Sequence, residues 1–466
     1  MRSVFMTMQT GVGSVVVLAL SLAAAPRAAV AQPAAHDDVT FTKDVAPILQ
    51  RSCQKCHRPN SVAPMSLITY EEVRPWARSI KQRTGLRNRM GVMPPWYIEK
   101  DIGIQQFKDD WSLSDAEITT IAAWADAGAP RGNPADMPVP PAFIDVDEWE
   151  IGQPDLIVSS PPFEVKADAP DWWGMIGQAA SGLTEDRYVA AIEYKERNNL
   201  PRGVRSDTVG GLFIVHHSAV ITSAPEGGAH TWPVHEVGRN ADVFDETAGV
   251  MLKAGSTLIF PSTHLHANGT DTTARLEVGF KFHPKDYEPT KEVEFLFFGN
   301  GPDIDILPMQ DNQRMDAYFT LPENTKVSVY EPHMHAPGVR MCLEAVWGTT
   351  VQTLNCSGYD HNWVRVYKYQ DDAAPLLPKG TILHLTGYFN NTLTNPNVAD
   401  PRNWSGSGHR SVDNMFINLL QAIYMDDEEF ASEVAARERR LATGGIDIGC
   451  LVCGASDAPA NAGGGQ

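Results

Sequence analysis

Positive charge is scarce in this chain: 38 Lys and Arg face 57 Asp and Glu, for a net charge of -19 at neutral pH. So acidic a surface excludes the usual footprint of nucleic-acid binding or of docking on anionic lipid, and suits neutral or cationic partners. Long apolar runs are missing too. The longest, residues 15–25, is too short to span a bilayer, so no integral membrane segment is expected. It follows Arg2 and precedes Ala29-Val30-Ala31, the pattern of a cleaved export signal over residues 1–31. Cleavage removes Arg2 and Arg27 and takes the net charge to -21. Cysteine is sparse, six in 466 residues, and falls in three pairs: Cys53/Cys56, Cys342/Cys356 and Cys450/Cys453. With an export signal, that usage points to an oxidising compartment, periplasmic or secreted. No short repeat is present.

Residues 37–133 read as a small helical domain. Ser114-Asp115-Ala116-Glu117 is a capping box, Ile118, Ile121, Ala122 and Ala125 share a face at helical spacing, and Gly128 and Pro130 end the helix. Pro134, Pro138, Pro140 and Pro141 mark a semi-rigid linker over 134–149. Short β-rich runs then dominate, at 188–194, 211–222, 257–260, 276–282, 326–331, 381–390 and 418–424, with turn residues between them. The texture is that of antiparallel sandwiches or barrels. Its length predicts two such domains, 150–290 and 291–430, with a seam near 284–305 and a tail over 431–466.

Cys53-Gln54-Lys55-Cys56-His57 is the C-x-x-C-H pattern of covalent haem attachment. Each thiol adds to one vinyl group and the adjacent histidine lies under the iron, which predicts one haem c. Met93, in Gly91-Val92-Met93-Pro94-Pro95-Trp96, is the chosen opposite axial ligand, because two prolines hold it on an extended loop; Met65 and Met90 are its rivals. A thioether there raises the potential relative to two histidines, as electron transfer favours.

Nine of the fourteen histidines lie between 216 and 335. His264-x-His266 and His333-x-His335 are alternate pairs, and residues two apart on a strand share a face, so each pair can grip one metal. His216 and His217 are adjacent and can share a metal only at a bulge or twist. Imidazole suits copper, zinc and iron alike, so spacing predicts one or two metal sites without naming the ion. His230, His235, His283, His361, His384 and His409 are read as structural. Cys342 and Cys356 are expected to bridge neighbouring strands, and Cys450/Cys453 to form a second disulfide.

Five segments carry a family resemblance: Val215-His216-His217, His264-Leu265-His266-Ala267-Asn268-Gly269, Pro332-His333-Met334-His335, Tyr359-Asp360-His361-Asn362-Trp363 and Val412-Asp413-Asn414-Met415. In this order they resemble the type II copper, ascorbate-dependent monooxygenases, the dopamine β-monooxygenase and peptidylglycine α-hydroxylating family. The resemblance is strongest to bacterial relatives with a cytochrome domain in front. It implies two all-β antiparallel, jelly-roll-like copper sandwiches behind an all-α c-type cytochrome domain. It further implies a first copper at His216, His217 and His264, and a second, oxygen-binding copper at His333, His335 and Met415. His266 is left as a near-site residue. The peptide-hydroxylating members place a carboxylate-binding arginine two residues before the H-x-H pair; here Glu331 stands there, which turns the expected substrate from anions toward neutral or cationic groups.

The activity these features imply is copper-dependent hydroxylation of a C–H bond in a small organic substrate by dioxygen, with electrons from a small reductant or redox protein entering through the haem. A haem- and copper-bearing electron carrier without catalysis is the alternative.

Overall fold

The computed structural model describes residues 39–203, 208, 210–410 and 412–442. The expected signal at 1–31 and the Cys450/Cys453 pair lie outside the described residues. Ser114 opens the helix Asp115–Asp126 as its spacing requires. Its hydroxyl accepts the Glu117 N–H, and the Glu117 carboxylate accepts the Ser114 N–H. Thr69 and Glu72 cap Tyr70–Val73 in the same way. With Ala46–Ser52 and Ala77–Thr84, these helices bury Phe41, Leu49, Val73, Ile121 and Trp124. The N-terminal part is nevertheless not all-α. Ile98–Gly103 is a strand paired with Thr350–Gly358, and Trp96, Ile98, Ile104 and Phe107 join the core of the C-terminal β region. Apolar surface outside the helical pattern was free to pack there, so helix periodicity did not reveal it.

The rest is almost wholly antiparallel sheet. All seven β-rich runs overlap strands, including Arg187–Asn198, Val215–Ser223, Thr257–Leu265, Thr272–Phe282, Asn324–Tyr330, Ile382–Asn391 and Phe416–Met425. One core, holding Ile192, Val220, Phe260 and Phe280, lies between the sheet of Arg187–Asn198 and Thr272–Phe282 and the sheet of Val215–Ser223 and Thr257–Leu265. A second, holding Val327, Leu343, Leu385 and Leu420, lies between the sheet of Asn324–Tyr330 and Phe416–Met425 and the sheet of Gly338–Trp347 and Ile382–Asn391. The stretch expected as a seam carries the strand Lys291–Gly299. It pairs in parallel with Ala248–Leu252 through Ala248↔Lys291, so one sheet runs through both halves.

Cys342 and Cys356 stand opposite each other on paired strands and form the expected disulfide. The expected tail begins instead with the helix Asp427–Ala442, whose buried Arg437 donates to the carbonyls of Ala374 and Asp371. Among the described residues no helix is long and apolar enough to cross a membrane.

Candidate metal centre and thiol pocket

The strand Val215–Ser223 presents both adjacent histidines because its pairing slips at that point. His264 lies opposite His217 and Leu265 opposite Val215, which leaves His216 as the extra residue of a bulge. The bulge does not direct both rings to one place. His216 joins His264 and His266, with ring centroids 4.4 Å apart for His216–His266 and His264–His266 and 5.4 Å for His216–His264. His217 turns instead to Glu236 and His333; its ring lies 5.2 Å from that of His333. The three-histidine set implied by the resemblance is therefore divided in the fold, and His266 stands in the position expected of His217.

Glu236 was not anticipated: nothing in Val234-His235-Glu236 marks it in the sequence. It is 1% exposed, its Oε1 accepts the His217 Nδ1–H at 2.7 Å, and it lies 3.6 Å from Nδ1 of His333. Burial alone would raise its carboxyl, but the two imidazoles outweigh burial and hold it well below the usual carboxylate range. An ionised Glu236 fixes the His217 proton on Nδ1 and leaves Nε2 as the free lone pair. His335, fully buried, donates Nδ1–H to the Asp413 carbonyl at 3.1 Å. Burial pushes its pKa down to about 3, and those of His216, His266 and His333 also fall through burial, so the rings are neutral, the form that binds metals. Asp171 reaches the other group: its carboxylate lies 3.3 Å from His264 Nε2 and 3.5 Å from His266 Nδ1.

The two groups form one cluster. The Trp173 indole lies 5.1 Å from the His217 ring, 4.9 Å from His264 and 6.0 Å from His335. Met415 is half-buried and leads into the strand Phe416–Met425. There His333 pairs with Ile417 and Met334 with Phe416, so Met415 and His335 each adjoin the last pair of this ladder. His361, read as structural from the sequence, stands against this cluster, 5.5 Å from the His335 ring and 6.3 Å from His264.

Glu331 lies in the interior beside Arg239. It is 2% exposed and both carboxylate oxygens accept from Arg239 Nη1 at 3.2–3.3 Å, while Arg239 Nη2 donates to Asp242 at 2.9 Å. Burial pushes the Glu331 carboxyl up to about 8 against the pull of Arg239.

On the far side of Val237 and Trp363 lies the thiol pocket, lined by Cys53, Cys56, His57, Met65, Met93 and Trp111 among others. The attachment turn forms because Cys53 ends the helix Ala46–Ser52 and its carbonyl accepts the His57 N–H at 2.9 Å. His57 donates Nδ1–H to the Met65 carbonyl at 3.1 Å, which leaves Nε2 free. Both cysteines are free thiols; burial pushes Cys53 up to about 12 and raises Cys56. Arg365 is buried over the Trp111 ring with its Nε unpartnered. Met93 and Met65 both reach this pocket; Met90 does not line it and contacts Asn397.

No protein-family model matches this chain, and no curated protein matches it by sequence.

Proposed function

We propose that this chain is an exported copper-dependent monooxygenase of the type II copper kind, supplied with electrons through one covalently attached c-type haem. The observation that carries the reading is a set of orphaned nitrogens: His216 Nε2, His264 Nδ1, His266 Nε2, His333 Nδ1 and His335 Nε2 are all buried without a hydrogen-bond partner. Each costs about 1–3 kcal/mol if left bare. Gathered in one place, they fit metal ions. Imidazoles with a neighbouring thioether at Met415 suit copper, whose cuprous form favours soft ligands.

The thiol pocket fits a haem by the same kind of test. Its walls are mainly apolar, and two unbridged thiols, a free imidazole nitrogen and a methionine all line it. Buried Arg365, beside Cys56, would meet an acidic edge of the ligand. High thiol pKa values argue against a thiolate metal site there.

Copper would supply the oxygen and one-electron chemistry, and the haem the relay of electrons. The chain's own part is orientation. Glu236 holds the Nδ1 proton of His217, the Asp413 carbonyl holds that of His335, and Asp171 braces His264 and His266. Trp173 fills the space between the groups and keeps water out. Glu236 is joined directly to Val237, which packs with Trp363 and Met93 at the thiol pocket, so the two centres lie back to back.

A specific observation favours the carrier reading as the second choice: His333 is 4% exposed, His335 0% and His264 1%, so these rings are sealed from solvent, while His266 is a quarter exposed. Oxygen uptake by the copper-loaded protein over a panel of small neutral and cationic organic compounds decides between them. Substrate-dependent uptake, with labelled oxygen in the product, supports the monooxygenase. Reversible redox cycling without uptake supports the carrier.

A further inference from the structure

Among the described residues, His361 alone has both ring nitrogens buried and without a hydrogen-bond partner. The other histidines read as structural are accounted for differently. His235 donates to the Arg239 carbonyl, His384 meets Glu344 and Asp316, and His283 stacks on Tyr287. Two bare polar atoms therefore remain on the His361 ring. An apolar side chain of similar size would avoid that cost of about 1–3 kcal/mol per atom.

The surroundings of His361 say what would satisfy it. Imidazoles that share a metal at about 2.0 Å stand with centroids roughly 4.5–6.3 Å apart, depending on the angle at the ion. His361 lies 5.5 Å from His335, within that range, and 6.3 Å from His264, at its upper limit, which only ligands on opposite sides of an ion reach; it stands outside the two closest donor groups, His216–His264–His266 and His217–Glu236–His333. Its turn is also tied down on both sides. The Tyr359 hydroxyl donates to the Met334 carbonyl, between His333 and His335. The Asp360 carboxylate accepts the Asn362 N–H at 3.1 Å and the Gly91 N–H, on the Met93 loop, at 2.9 Å. Trp363, which closes the same turn, lines the thiol pocket.

We propose that His361 is a further metal ligand, an imidazole that joins the His264 and His335 sides of the cluster and binds a copper-class ion. The inference rests on the reading of the cluster as a copper centre and adds a residue to it. It also gives the Asp360–Trp363 turn a purpose: one short covalent stretch then carries a metal ligand at one end and a wall of the thiol pocket at the other.

The test uses the full-length protein, loaded with copper alone, and the variants His361→Phe and His361→Asn, with apo-protein thermal unfolding confirming that each folds. Copper content by metal analysis and the nitrogen couplings of the cupric electron paramagnetic resonance spectrum are read. The proposal expects both variants to lose one nitrogen coupling and at least tenfold in copper affinity at one site. If the native protein binds copper and both variants match it in content, affinity and spectrum, this inference falls and the copper reading stands. If the native protein takes up no copper, the reading under Proposed function falls, and this inference with it.

Discussion

Glu236→Gln isolates what the buried carboxylate does. Gln keeps the volume and one acceptor but removes the charge that holds the His217 Nδ1–H at 2.7 Å and faces His333 Nδ1 at 3.6 Å. If Glu236 orients His217 from behind, its loss should weaken copper at the His217–His333 group by about 10- to 100-fold, near 1.4–2.7 kcal/mol. The His216–His264–His266 group, braced by Asp171, should keep its affinity. Competition titration against a chelator of known copper affinity, with the two sites resolved, reads both constants. A loss far beyond 100-fold would make Glu236 a ligand itself. Unchanged affinity at both sites would refute the reasoning, because a 1% exposed carboxylate between two imidazoles would then have no bearing on the metal.

Met415→Ala should weaken one copper and abolish hydroxylation while leaving the other copper in place; metal analysis that finds no change counts against the thioether role. Arg239→Met strands Glu331 in the interior, while Asp242 keeps Lys368, and should cost about 3–5 kcal/mol in urea unfolding. Adding Glu331→Gln to it should recover part of that loss. Haem should survive denaturing electrophoresis and acid–acetone extraction of the native protein, and Cys53→Ala with Cys56→Ala should release it.

Much of the fold was legible in the sequence. The Ser114 and Glu117 pairing is local chemistry, and the β-rich runs from 188 to 424, set apart by turn residues, sit on strands. The strand Ile98–Gly103 was not legible, because its partner lies some 250 residues away and no local pattern carries that information. The helix Asp427–Ala442 was not legible either, since its anchor, Arg437, is a charged residue that the fold buries through backbone carbonyls.

At the site, histidine spacing marked the region but not the partition. Whether His216 and His217 diverge depends on a bulge set by the pairing between Leu265 and Val215. Glu236 carries no motif at all. His361 did carry a signal: it is a histidine inside Tyr359-Asp360-His361-Asn362-Trp363, one of the five segments of the resemblance.

The central claim is that haem-borne electrons drive chemistry at the histidine cluster. Rapid mixing of the fully reduced, copper-loaded protein with oxygen and a turned-over substrate tests it most directly, with haem absorbance and product followed together. The account predicts that haem reoxidation keeps pace with product formation and that both collapse in His264→Ala. Product accumulating at the normal rate while the haem stays reduced would contradict it.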